Sequence, residues 1–283
     1  MGRGRKIYCI RHCEREDNEN PFWYFNSRLT KDNSPLSERG IKQAQEIARS
    51  MGPVRIDYAF SSPYRRTVET ASRILSKHMT KLFIEPGLLE TESIILGDGV
   101  KSCTFETIED LCKSYPSLID PMYGPRFESV NHGEIGLFGC KPRVQKTIEH
   151  ILNLCPSGNI LIVAHQSSLA TIHNILCPED RQLKPGQATI TKYKERYPYK
   201  GQFDCIYECD SSHLTDRSAL HGHHYHINQI YTKPTLRRIA AASRVELWIG
   251  IDGEITGIPS SAASARMRRR CHRNFHRQAT ASL

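Results

Sequence analysis

The chain has 283 residues and a net charge of +9, with 39% hydrophobic and 24% charged residues. This composition is typical of a soluble globular protein and excludes a disordered or fibrous chain, and no apolar run approaches the roughly 18 residues that a membrane span needs. Six arginines and no acidic residue lie in residues 259–283, which leaves +3 for residues 1–258. The excess charge therefore indicates a basic, disordered tail rather than a basic domain.

Strand and helix patterns alternate through the first 180 residues. The sequence predicts strands over 6–10, 58–60, 81–84 and 159–164, and helices over 38–51, 64–77, 107–114, 143–154 and 168–176. Ser37 has the residue type of an N-cap for the first of these helices. Residues 16–35 are rich in turn residues and predict a long loop that contains the aromatic run 22–25.

The apolar stretch Asn159–Ala164 is continuous, as in a strand covered on both faces. Together with the alternation, it predicts an α/β three-layer sandwich, with a mostly parallel sheet and helices on both faces. The pattern weakens beyond Pro178. There, Phe203–Glu208 predicts a strand, and Val245–Ile249 with Glu254–Thr256 predicts a hairpin around Asp252-Gly253.

Charged residues and histidines follow the predicted strands at the edge where α/β proteins bind ligands. Arg11 and His12 end the first strand, Ser62, Arg65 and Arg66 follow the second, Glu90 follows the third, and His165 ends the Asn159–Ala164 strand. Arginine matches phosphate oxygens bidentately, and an imidazole can attack phosphorus to form a phosphohistidine. A carboxylic acid can protonate the leaving oxygen and then act as base for water. These residue types predict a phosphate-handling site.

Four ordered motifs resemble those of the histidine phosphatase, or phosphoglycerate-mutase-like, superfamily. The motifs are Arg11-His12-Cys13-Glu14-Arg15, the stretch 62–71 (SPYRRTVETA), the stretch 85–90 (EPGLLE) and the stretch 163–169 (VAHQSSL). They are most similar to the branch that holds the Sts tyrosine phosphatases, which carry UBA and SH3 domains, and the ecdysteroid-phosphate phosphatases. The resemblance is clear for residues 6–178 and weak to about 235. With the basic tail at 259–283, we predict a phosphatase domain over 1–258.

The resemblance implies a phosphomonoester hydrolase that needs no cofactor and no metal and acts on phosphotyrosine or a small phosphorylated metabolite. His12 would be the nucleophile, Glu90 the acid and base, and His165 a second catalytic histidine. The phosphate pocket would consist of Arg11, Arg15, Arg66 and His165. Arg65 is the neighbour of the matching arginine and is expected to face outward.

One departure from the motif keeps other functions open. Cys13 stands where the family has glycine, and a Cβ there is expected to obstruct a backbone geometry that glycine permits. The alternatives are a catalytically impaired pseudophosphatase that binds phosphorylated ligands or partners and, less favoured, a phosphoglycerate mutase.

Other features predict the surroundings of the protein. No signal-peptide core is present, which predicts a cytoplasmic protein with reduced cysteines, although the arginine tail could direct it to the nucleus. We expect nucleic acid to be contacted only non-specifically, by that tail. The histidine run at 221–226 (HGHHYH) is interpreted as a solvated loop, with a transition-metal site as the alternative. The oligomeric state, including a homodimer, is left open.

Overall fold

The computed structural model describes residues 4–20, 22–30, 32–91, 105–128, 134, 136–178, 182–198, 200–218, 220, 248–249 and 255–257. The chain divides into two compact units. The first comprises residues 1–90, 103–130 and 142–222, and the second comprises residues 91–102, 131–141 and 223–283. All the residues predicted for the phosphate site belong to the first unit. The histidine run at 221–226 and the tail at 259–283 lie outside the described residues, so both interpretations stay predictions.

The first unit contains a mixed six-stranded sheet. Its strands are β1 (Lys6–Arg11), β2 (Tyr58–Ser61), β3 (Leu82–Ile84), β4 (Asn159–Ala164), β5 (Ile190–Glu195) and β6 (Phe203–Asp210). They lie in the order β3-β2-β4-β1-β5-β6. The first four in this order are parallel, and β5 runs antiparallel to both of its neighbours. The predicted α/β fold with a largely parallel sheet is confirmed.

In the described residues, six α-helices accompany the strands: α1 (Glu16–Glu19), α2 (Glu38–Met51), α3 (Arg65–Leu75), α4 (Ile108–Ser114), α5 (Gly136–Leu154) and α6 (Gln166–Leu176). Short 3-10 helices lie at Trp23–Asn26 and Pro86–Leu88. The predicted loop over 16–35 therefore contains two single helical turns, which are too short to give a periodic pattern. Helix α5 begins seven residues before its predicted start and includes Pro142.

The start of α2 lies beside the segment that follows β1. Ser37 is the N-cap, and its hydroxyl accepts a hydrogen bond from the amide of Gly40 at 3.0 Å. That hydroxyl donates to the buried carboxylate of Glu14 at 2.7 Å. A Cβ on Gly40 would lie 2.2 Å from the carbonyl oxygen of Glu14, so only glycine allows the helix to approach this closely. The N-terminus of α2 thereby fixes the chain just after His12.

Helices cover both faces of the sheet. On one face, a buried core joins Tyr8 and Ile10 of β1 to Ile47 of α2 and Val68 of α3. On the other, the His173 ring of α6 is hydrogen-bonded to the Tyr193 hydroxyl at 3.1 Å. Tyr193 lies opposite Ile7, on the face away from Tyr8.

Two features lie beyond the region where the sequence pattern is strong. Strand β5 was not predicted, and its pairing with β1 and β6 extends the sheet. In the second unit, β7 (Trp248–Ile249) pairs antiparallel with β8 (Ile255–Gly257). The predicted hairpin therefore has its two strands, while Asp252-Gly253 lies outside the described residues.

A buried ion pair holds the start of β1 to the end of β5. The Arg5 Nε donates to the Glu195 Oε2 at 3.0 Å, and the backbone amide of Arg5 donates to the same oxygen at 3.1 Å. The two side chains are 6% and 0% exposed. Removing one partner would leave a buried charge uncompensated.

We expect Glu195→Ala to lower the free energy of unfolding by roughly 3 kcal/mol, measured by urea denaturation. The control is Asp204→Ala, which removes the partner of Arg196 in a half-exposed pair and should change stability little. Equal effects of the two substitutions would contradict the assigned role of the buried pair.

Candidate active site

The parallel strands bring the predicted site residues to one edge of the sheet. Arg11 lies opposite Ala164, the last residue of β4, and β2 flanks β4 on its other side. His12 and His165 each follow the last residue of their strands. Their ring centroids are consequently 5.3 Å apart, with an interplanar angle of 57°.

His12 is 2% exposed, and its surroundings determine which ring nitrogen is available. The Nδ1 atom lies 2.8 Å from the carbonyl oxygen of Cys13. A carbonyl only accepts hydrogen bonds, so Nδ1 carries the hydrogen in the neutral ring and Nε2 retains a lone pair. Burial and the nearby charges of Arg66 and Arg11 lower the pKa of His12 well below its usual value. The ring is therefore neutral at pH 7, with Nε2 able to act as a nucleophile.

The hydrogen bonds of His165 give the opposite tautomer. The Nη2 atom of Arg66 lies 3.4 Å from its Nδ1, and the Ser62 hydroxyl lies 2.8 Å from its Nε2. A guanidinium only donates, so Nδ1 accepts and Nε2–H donates to Ser62. The pKa of His165 is well below its usual value because the ring is buried and because four arginine charges act on it, those of Arg66, Arg11, Arg15 and Arg143.

Main-chain carbonyls and a tyrosine ring hold two of these arginines in place. Arg11 is fully buried, and its Nη1 donates to the carbonyl oxygen of Pro185 at 2.9 Å. Arg66 donates from Nη1 to the carbonyl oxygen of Asp32 at 2.9 Å, and its guanidinium lies 4.2 Å from the centroid of the Tyr64 ring. Burial, then the Arg15 charge, lowers the pKa of Arg66 to about 10. It remains charged at pH 7, so a phosphate dianion would find fixed positive charge here.

The Glu90 carboxylate lies at the N-terminus of α6, the helix that begins directly after His165. Its carboxylate oxygens accept from the amide of Ser167 at 3.2 and 3.4 Å. A carboxylate in this position is stabilised by the helix dipole. The half-buried side chain also interacts electrostatically with Arg66. The structure thus brings Glu90 to the same edge as the two histidines and the arginines.

Arg143 belongs to this group but was not predicted. It is 4% exposed, and its Nη1 donates to the carbonyl oxygens of Gly87 at 2.7 Å and Leu89 at 3.1 Å. It therefore holds the turn that precedes Glu90. The sequence signal was an arginine next to Val144, at the edge of the predicted apolar face of a helix.

Arg65 is placed differently from Arg66. Its guanidinium pairs with Glu69 and with Glu106, each at 3.0 Å. Those carboxylates engage the Arg65 side chain through ion pairs, whereas the guanidinium of Arg66 faces His165.

Cys13, the residue that departs from the family motif, has its side chain in the core. The residue does not adopt a positive φ, so its backbone has no need of glycine. Its side chain is fully buried in the apolar core with Leu36 and Ala44, and its amide donates to the Thr70 hydroxyl at 3.1 Å. Burial raises the pKa of the thiol to about 12, which keeps it protonated and unreactive at pH 7.

The residue arrangement and the fold correspond to a known family. The sequence model of the histidine phosphatase superfamily (branch 1) matches residues 7–194, about two thirds of the chain. The protein belongs to this superfamily.

Individual relatives differ in their named activities. Phosphoserine phosphatase 1 of Hydrogenobacter thermophilus is 33% identical over 175 residues, which are 62% of this chain and 77% of the relative. A Proteus mirabilis protein named "Probable phosphoglycerate mutase GpmB" is 26% identical over 218 residues, 75% of this chain and 95% of the relative. The crystal structure of the ecdysone phosphate phosphatase from Bombix mori with tungstate has a TM-score of 0.59 and 21% identity, and the match covers 76% of this chain and 96% of that one.

In the part of the chain that the structure describes, no helix is long and apolar enough to cross a membrane. Within the same residues, no group of three or more histidine, cysteine, aspartate or glutamate side chains could hold a metal ion. The cytoplasmic location and a homodimer stay predictions.

We expect Cys13→Gly to lower the free energy of unfolding by about 1–3 kcal/mol, because it deletes a buried side chain and loosens the backbone. The turnover number should stay within about threefold of wild type, because the thiol lies in the core. The activation free energy should therefore change by well under the roughly 1.4 kcal/mol that corresponds to a tenfold effect. Thermal melts and steady-state assays measure both, with Cys13→Ala as the variant that keeps Cβ. A tenfold rise in turnover would show that Cβ hinders the site.

Proposed function

We propose that the protein hydrolyses phosphomonoesters through a phosphohistidine formed on His12. The observation that carries this proposal is a buried, neutral imidazole with an available Nε2, surrounded by arginines at the edge of the sheet. The relative named a phosphoserine phosphatase and the structural neighbour named an ecdysone phosphate phosphatase support it.

In the first step, the Nε2 of His12 attacks phosphorus and the bond to the leaving oxygen breaks. The bound substrate dianion brings negative charge beside Glu90 and favours protonation of its carboxyl, which gives that proton to the leaving oxygen, so the product leaves as an alcohol or phenol. The ring gains positive charge as the nitrogen–phosphorus bond forms, and the hydrogen bond from Nδ1–H to the Cys13 carbonyl stabilises that charge.

In the second step, the Glu90 carboxylate takes a proton from water and the water oxygen attacks phosphorus. The nitrogen–phosphorus bond breaks, inorganic phosphate forms, and both His12 and the Glu90 proton are restored. Arg11, Arg15 and Arg66 offset the charge on the phosphoryl oxygens in both steps. A bound dianion also offsets the arginine charges that lower the pKa of His165, so that ring can then take up a proton and donate to phosphate.

The same relatives and the sequence resemblance support several candidate substrate classes. Phosphotyrosine, phosphoserine and small phosphorylated metabolites are the candidates. A pseudophosphatase, motivated by Cys13 and by the unusual C-terminal third of the chain, is an alternative; the burial of the Cys13 side chain in the core favours the active enzyme over it. A phosphoglycerate mutase is the second candidate, favoured by the relative of that name.

Assays of p-nitrophenyl phosphate, phosphotyrosine and phosphoserine in the presence of EDTA test the proposal. We expect turnover with the chelator present, because cationic side chains supply the charge that a divalent ion would otherwise supply. His12→Ala should lower turnover by at least 10³-fold, as loss of a covalent nucleophile does. His78→Ala, which replaces a histidine outside the site, is the control.

Three outcomes would contradict the proposal. His12→Ala could retain activity, or EDTA could abolish activity that an added metal restores. The third is interconversion of 2- and 3-phosphoglycerate with no release of phosphate, which would identify a mutase.

A further inference from the structure

The geometry around Arg15 points to a further residue of the phosphate pocket. We propose that Asp17 is a positioning residue that holds the Arg15 guanidinium at the pocket and offsets its repulsion with Arg66 while no phosphate is bound. This inference rests on the proposed function, in which Arg15 binds phosphate.

The Asp17 carboxylate meets the side of the Arg15 guanidinium with both of its oxygens. The Arg15 Nε donates to Oδ1 at 2.7 Å, and the Arg15 Nη2 donates to Oδ2. This two-point contact fixes the plane of the guanidinium as well as its position. The pair does not use Nη1. Arg15 is thus oriented by a residue two positions away in the chain, before any ligand binds.

The pair is anchored to the segment that returns from the loop. The backbone amide of Asp17 donates to the Ser34 hydroxyl at 3.1 Å, and Ser34 is fully buried. Two residues earlier, the Asp32 carbonyl accepts from Arg66. The short stretch 32–34 therefore contacts both the Asp17–Arg15 pair and Arg66, which fixes the two guanidinium groups relative to each other.

The electrostatics require a negative group at this place. The charge of Arg15 lowers the pKa of Arg66, whereas the charge of Asp17 acts to raise it. Burial raises the pKa of Asp17, but the charge and hydrogen bond of Arg15, the charge of Arg66 and a hydrogen bond with Ser34 together lower it. Asp17 is thus ionised and close to both arginines. Without it, two partly desolvated guanidinium charges would repel each other in the empty pocket, and the flexible Arg15 side chain is the one able to leave.

The test is a double-mutant cycle of wild type, Arg15→Ala, Asp17→Asn and the double variant. Calorimetry measures the Kd for inorganic phosphate, and steady-state assays measure KM and kcat for p-nitrophenyl phosphate. We expect Asp17→Asn to raise Kd and KM about tenfold, about 1.4 kcal/mol, with kcat changed less. In the Arg15→Ala background the same substitution should change Kd less than twofold. Thermal melts report on folding.

Glu16→Gln is the matched control, because it removes a neighbouring carboxylate of α1 that forms no ion pair with Arg15. It should leave Kd and KM unchanged. A purely structural role of Asp17 would move the melting temperature and kcat without the Arg15-dependent change in Kd.

Three results would overturn the proposal. If Asp17→Asn tightens phosphate binding, the carboxylate competes with phosphate. If its effect is equally large in the Arg15→Ala background, Asp17 does not act through Arg15. If Arg15→Ala leaves Kd unchanged, Arg15 lies outside the pocket. This inference then fails, but the proposed hydrolysis through His12 is unaffected. Since calorimetry needs no turnover, an inactive wild type would contradict the proposed hydrolase and leave this test intact.

Discussion

The concentration of positive charge around two buried histidines is the constraint on which the site depends. Burial, followed by the charges of Arg66 and Arg11, lowers the pKa of both His12 and His165, and Arg15 and Arg143 act on His165 as well. Histidines that would titrate near pH 6.5 in water are therefore neutral here. Under the proposed function, His12 can attack phosphorus at pH 7 without first losing a proton, and the positive charge of the site matches a phosphate dianion.

Such a cluster would be costly without groups that hold each charge. Three of the arginines donate to main-chain carbonyls, Arg11 to Pro185, Arg66 to Asp32, and Arg143 to Gly87 and Leu89. These carbonyls belong to the segments that connect strands and helices at this edge of the sheet. The connecting segments and the arginines therefore position one another. Because a carbonyl carries no net charge, these contacts satisfy the hydrogen bonds of the arginines and leave their charge for a ligand.

The sequence was sufficient where the signal is local. The apolar run of β4, the Ser37 cap and the alternation of strands and helices predict the fold, and the ends of parallel strands must meet at one edge. Strand β5 was missed because it lies where the sequence pattern is weak, and because its buried Glu195 is explained only by Arg5, 190 residues away. Arg143 was missed because the carbonyls that it contacts are distant in sequence. Asp17 was missed because its two-point contact with Arg15 leaves no periodic pattern. The motif position of Cys13 does not reveal that its side chain lies in the core, which only the packing with Leu36 and Ala44 shows.

The account as a whole depends on covalent chemistry at one nitrogen of His12. Rapid acid-free quenching of the protein with a phosphorus-labelled substrate, followed by peptide mapping, measures this directly. The account predicts an acid-labile, base-stable phosphoryl group on the peptide that contains His12, at a level that falls as substrate is exhausted and that disappears in His12→Ala. Steady turnover with no phosphoryl group on that peptide, or with the label on another residue, would contradict it.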